Sequence, residues 1–142
     1  MDLEANKTLI TRFAEAINTS NWDALDELVS QDFQRHCQAT PDVEVKSLQE
    51  FKDLQQGFIV GFPDQRVTMD LILAEGDHVA TYGAYQATHT GPMGNIPATG
   101  KAVDVKMMTI FRVEEGKIAE IWVEWDNMAM LGQLGLLPPP AP

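Results

Sequence analysis
The sequence predicts an α+β fold, with three N-terminal helices packed on a curved, mainly antiparallel β-sheet. Three observations carry that prediction. Apolar residues recur at helical spacing over about residues 3 to 58, then at every second position beyond residue 66. The change falls at "GFPD", residues 61–64, a sequence that stops a helix. Two tight-turn sequences, "AEGD" and "EEGK", then cut the second half into strands.

Leu9, Ile10, Phe13 and Ile17 place an amphipathic helix over about residues 3 to 18. Asn21 precedes "WDALDELV", where Trp22, Leu25, Leu28 and Val29 share a face and Asp23 and Asp26 favour the positive end of the helix dipole. Ser47 and Glu50 of "SLQE" have capping-box spacing and open a third helix through Phe51, Leu54 and Phe58. Val67, Met69, Leu71 and Leu73 then alternate with their neighbours. A second strand runs through "HVATYGAYQATH", a third through Val103 to Val113, and a fourth through "IAEIWVEWD". A short apolar segment, "NMAMLGQLG", follows. No repeat or linker divides the chain, so residues 1–135 are expected to form one domain and the proline-rich residues 136–142 a mobile tail.

Composition excludes several functions. With 142 residues, 44% apolar and 22% charged, the chain is an ordinary globular domain. Its net charge of -11 repels nucleic acid and anionic membrane alike. Cys37 is the single cysteine, which rules out an intramolecular disulfide and a cysteine-rich zinc site. The opening "MDLEANKTLI" has no signal-peptide pattern and no apolar run reaches membrane-spanning length, so a cytoplasmic location is expected. His36, His78 and His89 are scattered without "HExxH" spacing, so no metal is expected. Neither GxGxxG, P-loop nor GxSxG is present, and no cofactor or serine nucleophile is expected.

The order "GFPD", "AEGDHVATY", "ATHTG", "PATGK", "FRVEEGKIAEIW" and "QLG" resembles the SnoaL-like polyketide cyclase (ester cyclase) family, over roughly residues 5 to 135. The resemblance implies an NTF2-like cone, a curved sheet closed by helices around a cavity. It also implies cofactor-independent acid–base chemistry, such as an intramolecular aldol closure driven by an aspartate on the last strand and a nearby histidine. A carboxylate in an apolar cone suits that task, because burial raises its pKa toward neutrality. Aligned without gaps on "QLG", however, the family's aspartate falls on Val123 and its histidine on Thr109. Neither side chain can move a proton in that way.

Candidate site residues follow from both readings. Asp126 is the acid nearest the lost position, and it also precedes a helix-like segment where it would serve as N-cap. Glu124 lies on the face opposite Val123 if the strand is regular, facing solvent or an interface. His89 sits beside "GPMGNIPATGK", a loop whose three glycines and two prolines suggest a flexible flap hinged at that histidine. His36 matches the family's pocket-side histidine, whereas His78 follows a turn and is expected to be exposed. Asp126, His89 and His36 are therefore the catalytic candidates. Tyr85, Met107, Thr109, Trp122 and Val123 are the substrate-binding ones, with Tyr82 excluded from the face that Tyr85 occupies. Three functions compete: a cyclase or isomerase acting on a small apolar carbonyl compound, a non-catalytic binding protein for such a molecule, and an interaction domain. A homodimer through the sheet, or a higher homo-oligomer, is expected in each case.

Overall fold
The computed structural model describes residues 2–137. The expected tail lies largely outside them. The first helix, α1, spans Leu3–Asn18 and is capped by Asp2, whose side chain accepts from the Ala5 N–H at 3.0 Å. It buries Leu9, Ile10, Phe13, Ala16 and Ile17, the face its apolar spacing marks. Asn21 does cap the next segment, but that segment is only a three-residue 3-10 turn, Trp22–Ala24, running into a single-turn helix α2, Leu25–Leu28. Val29, read from sequence as the end of the helix face, instead opens strand β1, Val29–His36. Helix α3, Leu48–Gly61, begins at Ser47, whose Oγ accepts from the Glu50 N–H at 3.1 Å. It ends where Phe62, preceding Pro63, leaves helical geometry.

Four long strands follow: β2, Arg66–Glu75; β3, His78–Thr88; β4, Ala102–Glu114; and β5, Lys117–Trp125. They form a meander, and β1 adds in parallel to β5, so the sheet order is β1-β5-β4-β3-β2. The short helix α4, Asn127–Gln133, closes the chain. This is the expected α+β architecture, with one unexpected parallel edge strand.

Curvature makes the sheet a cone. The register of β2 against β3 slips between Met69 and Leu71, a bulge that bends the strand inward. At the far side Asn18 of α1 ties itself to that strand. Its Nδ2 donates to the Val67 carbonyl at 2.8 Å, and its Oδ1 accepts from the Val67 N–H at 2.7 Å. One side-chain amide thus pairs an edge residue as a neighbouring strand would. Inside, Phe13 contacts Phe51 and Phe111 at ring separations of 5.9 and 5.6 Å, and Phe33 contacts Phe51 at 4.9 Å. That aromatic group joins α1, α3, β1 and β4. No helix among the described residues is long and apolar enough to cross a membrane.

Candidate functional site
Between the helices and the concave face of the sheet lies a cavity of about 200 Å³. A buried water occupies roughly 10–15 Å³ on this measure, so the space takes a small organic molecule. The cone is hollow. Its walls are almost wholly apolar, built by Phe58, Phe62, Met69, Met93, Met107 and Trp125 among others.

Strand alternation decides which side chains enter. On β4 and β5, Met107, Thr109, Phe111, Ile121 and Val123 line the cavity, while Met108, Ile110, Trp122 and Glu124 are exposed on the opposite face. Val123 and Thr109 face each other directly in the β4–β5 register. The two positions at which the resemblance places an acid and a base are therefore neighbours inside the cone, and both are occupied by groups without a useful proton. Tyr85 enters from β3 and Tyr82 does not. Of the five binding candidates, Tyr85, Met107, Thr109 and Val123 are lining residues. Trp122 is not, because adjacent residues of one regular strand point to opposite faces.

The three catalytic candidates sit outside the cavity lining. Asp126 is exposed and caps α4, accepting from the Ala129 N–H at 2.9 Å. His36, at the end of β1, is exposed on the outer face. There its Nε2 meets a Glu120 carboxylate oxygen at 2.6 Å and its ring stacks on Trp122. Burial opposes ionisation of Glu120, but hydrogen bonds from His36 and Arg112 outweigh it and leave the carboxyl below its usual range. His78 is also exposed, paired with Asp77 at 2.6 Å.

His89 is fully buried yet does not line the cavity. Its Nδ1 accepts from the Thr99 N–H at 3.2 Å, which puts the ring hydrogen on Nε2, and Nε2 meets no hydrogen-bonding group among the described residues. Its ring stacks on Phe62, a cavity wall, at 5.1 Å. The adjoining loop is tied at its base. The Thr90 and Gly91 N–H groups both donate to the Gly61 carbonyl, the Gly100 N–H donates to the His89 carbonyl, and Met93 and Ile96 pair with each other. Gly91 is required there, since a Cβ would stand 1.9 Å from the Val60 carbonyl oxygen. His89 therefore anchors the loop, and Met93 is the loop residue that reaches the cavity.

Polar groups on the wall were largely missed by sequence reasoning. Tyr85 donates to Gln65 Oε1 at 2.8 Å, and Gln65 Nε2 donates to Gln55 Oε1 at 3.2 Å. Burial, and then the nearby charge of Asp64, push the Tyr85 phenol far above its ordinary range, so it remains a neutral donor. Arg35 enters from β1 and is only 7% exposed. Burial lowers its pKa, with Cys37 and Glu124 acting in the opposite sense, and a guanidinium nevertheless keeps its charge. A strand reading of "FQRH" would have exposed Arg35, because Phe33 and Arg35 alternate inward.

A family model described as SnoaL-like polyketide cyclase matches residues 7–134. The chain belongs to the SnoaL-like polyketide cyclase family. Solved structures of similar proteins share the shape. IdmH from Streptomyces antibioticus, described as a candidate polyketide cyclase, is 30% identical, with a TM-score of 0.82 over 92% of this chain and 98% of its own. AclR from Streptomyces galilaeus, described as a candidate hydroxylase, is 28% identical, with a TM-score of 0.83 over 97% and 89%. TsrD from Streptomyces laurentii is 26% identical, with a TM-score of 0.84 over 96% and 99%. A comparison with curated proteins gives no match. Within this SnoaL-like cone, the lining contains no carboxylate and no imidazole among the described residues; its titratable members are Arg35 and Tyr85.

Proposed function
We propose that this SnoaL-like protein binds a small, largely apolar carbonyl compound inside the cone and promotes its ring closure or isomerisation without a cofactor. The apolar cavity, with the hydrogen-bonded chain Tyr85–Gln65–Gln55 on its wall, carries the reading. Holding a flexible chain folded supplies the orientation that closure needs. The Tyr85 hydroxyl, which donates to Gln65 in the unliganded cone, reorients to donate to a ligand oxygen and stabilises the negative charge that develops there. Because the wall offers no base, a suitable substrate is one that already enolises in water. The same lack favours a second reading, capture without turnover.

One incubation separates the two. Open-chain and aromatic 1,3-dicarbonyl compounds are screened by thermal shift, and those that bind are followed by NMR for a cyclised isomer of unchanged mass. Stabilisation with product formation supports catalysis, and stabilisation without it supports capture. If no compound raises the melting temperature, the cavity is not a binding site of this class. Tyr85→Phe is expected to weaken binding of the best carbonyl ligand about fivefold to tenfold, one lost hydrogen bond, while leaving the fold intact.

We further propose that the outer face of the sheet pairs with a second copy. Leu71 and Leu73 on β2, Tyr82 on β3, Met108 and Ile110 on β4 and Trp122 on β5 form adjacent exposed rows in register. This face also carries Lys106 and Arg112 among the acids Asp104, Glu114, Glu120 and Glu124, so the apolar rows and not charge complementarity carry the pairing. Ile110→Lys combined with Leu73→Lys is expected to convert the dimer to monomer in sedimentation analysis. An unchanged sedimentation coefficient would place the contact elsewhere.

A further inference from the structure
We propose that Arg35 makes one end of the cavity an anchor for a delocalised two-oxygen anion, a carboxylate or the enolate of a 1,3-dicarbonyl, carried on an apolar ligand. The inference rests on the cavity being a binding site and adds a charge to what it binds.

Arg35 is held from the edge strand β1, opposite Ile121 of β5, with its side chain directed inward. A guanidinium presents five N–H donors in a planar fork. Among the described residues this one donates from Nη1 to Thr40 Oγ1 at 3.1 Å and also engages the Cys37 side chain, neither of which is a carboxylate. Among the described residues Arg35 takes part in no ion pair, although the chain has twice as many acids as bases, 21 against 10. The nearest candidate, Glu124, is on the outer face and accepts from the Gln38 N–H instead.

Burying a cation without a counter-charge is unfavourable, and a buried arginine is normally matched by a carboxylate or phosphate. Among the described residues no carboxylate forms an ion pair with Arg35, Glu124 acting on it only from beyond pairing distance, and Arg35 lines a space sized for a ligand. The shape fits too. The guanidinium lies 6.0 Å from the Trp125 ring centroid, and Trp125 is itself held by its Nε1–H donating to Asn127 Oδ1 at 3.2 Å. A planar acid bound to the fork would lie beside that indole. Tyr85 lines the cavity from β3, three strands from β1 in the sheet order, about 14 Å along the curved sheet at ordinary strand spacing. A ligand gripped at Arg35 thus extends its apolar body toward a neutral hydrogen-bonding group. The two groups give the cavity a direction.

The test uses the full chain at neutral pH, with 2-naphthoate and its methyl ester as probes in calorimetric titration. The wild type is expected to bind the acid at least about tenfold tighter than the ester, the scale of a charge-assisted pair of hydrogen bonds. Arg35→Met, similar in volume and lacking the unpaired cation, is expected to fold and to bind the two equally. Arg35→Lys, which keeps the charge without the fork, should retain part of the preference. A matched reading of 1-phenyl-1,3-butanedione absorbance separates the two anion sources. Growth of the enolate band with wild type and not with Arg35→Met assigns the anchor to enolates, and preference for naphthoate without it assigns the anchor to carboxylates. Equal binding of acid and ester by the wild type overturns the anchor alone and leaves the cavity reading standing, as does a preference that survives in Arg35→Met. Failure of both probes to bind overturns both. Should Arg35→Met lose its circular dichroism signature, Arg35→Gln provides the same comparison.

Discussion
Phe111→Ala is expected to lower the unfolding free energy by about 4 kcal/mol, the scale of a large aromatic side chain deleted from a packed core. Phe111 is 1% exposed, sits in the central strand β4, and pairs in register with Val79 on one side and Ile121 on the other. Its ring meets Phe13 edge to face at 5.6 Å, so the contact joins α1 to the sheet. The ring also forms part of the cavity wall. Deleting it would merge a new void with the existing one, and the rigid aromatic neighbours Phe13 and Phe51 cannot collapse into the space. Guanidinium unfolding reads the effect as a lower midpoint at an unchanged slope. Phe111→Leu should cost well under half as much. A loss below about 1 kcal/mol for the alanine variant would mean that α1 is not held by this contact.

Phe111 also illustrates what was legible. Its place in a period-two run fixed both the strand and the inward face. Along β2 the alternation fixed the strand but not the face: the register slips between Met69 and Leu71, so Val67 and Met69 line the cavity while Leu71 and Leu73, expected on the same face, are exposed. On β5 a second slip buries both Ile118 and Ile121. The caps at Asn21 and Ser47 were legible, since one side chain and one backbone N–H three residues on suffice to define them. What failed was β1. Nothing resembling a turn separates Leu28 from Val29, so the helical face seemed to continue. The alternation of Phe33 and Arg35 spans too few residues to announce a strand. The parallel pairing with β5 supplies the stability that local pattern did not, and such a pairing between distant segments leaves no local trace.

The site was legible where strand parity governs and obscure where it does not. Tyr85, Met107, Thr109 and Val123 follow from alternation once the family resemblance sets which face points inward. Placing Trp122 beside Val123 ignored the same rule. Missing β1 hid Arg35, the cavity's cation, and drew attention to His36 on the opposite face of the same strand. Asp126 caps α4, and for His89 the decisive facts are Thr99 and Phe62, partners that only the folded loop assembles.

Gly83→Ala is expected to cost about 3 kcal/mol, the upper range for adding a methyl group to a packed interior, and to damage ligand binding as well as stability. Gly83 lies on the concave face of β3, in register with Met107, directly beneath the β2 bulge. A Cβ there would stand 1.8 Å from the Thr68 carbonyl oxygen, 2.6 Å from its carbon and 3.0 Å from the Met69 Cα. All three are backbone atoms of the paired strand, so no rotamer change relieves the clash; β2 must move away from β3. That movement opposes the bend that turns a flat sheet into a cone, and Val67 and Met69 on the displaced strand both line the cavity. Gly57 on α3 supplies the control, since nothing lies within 4 Å of its added Cβ. Gly57→Ala should raise stability by up to about 1 kcal/mol through helix propensity, with binding untouched. The pair separates glycine as a geometric requirement from glycine as a mere composition. If both variants melted together above the wild type, the inward fold of β2 would not depend on the missing side chain, and the shape of the cavity would have to be set from the helix side.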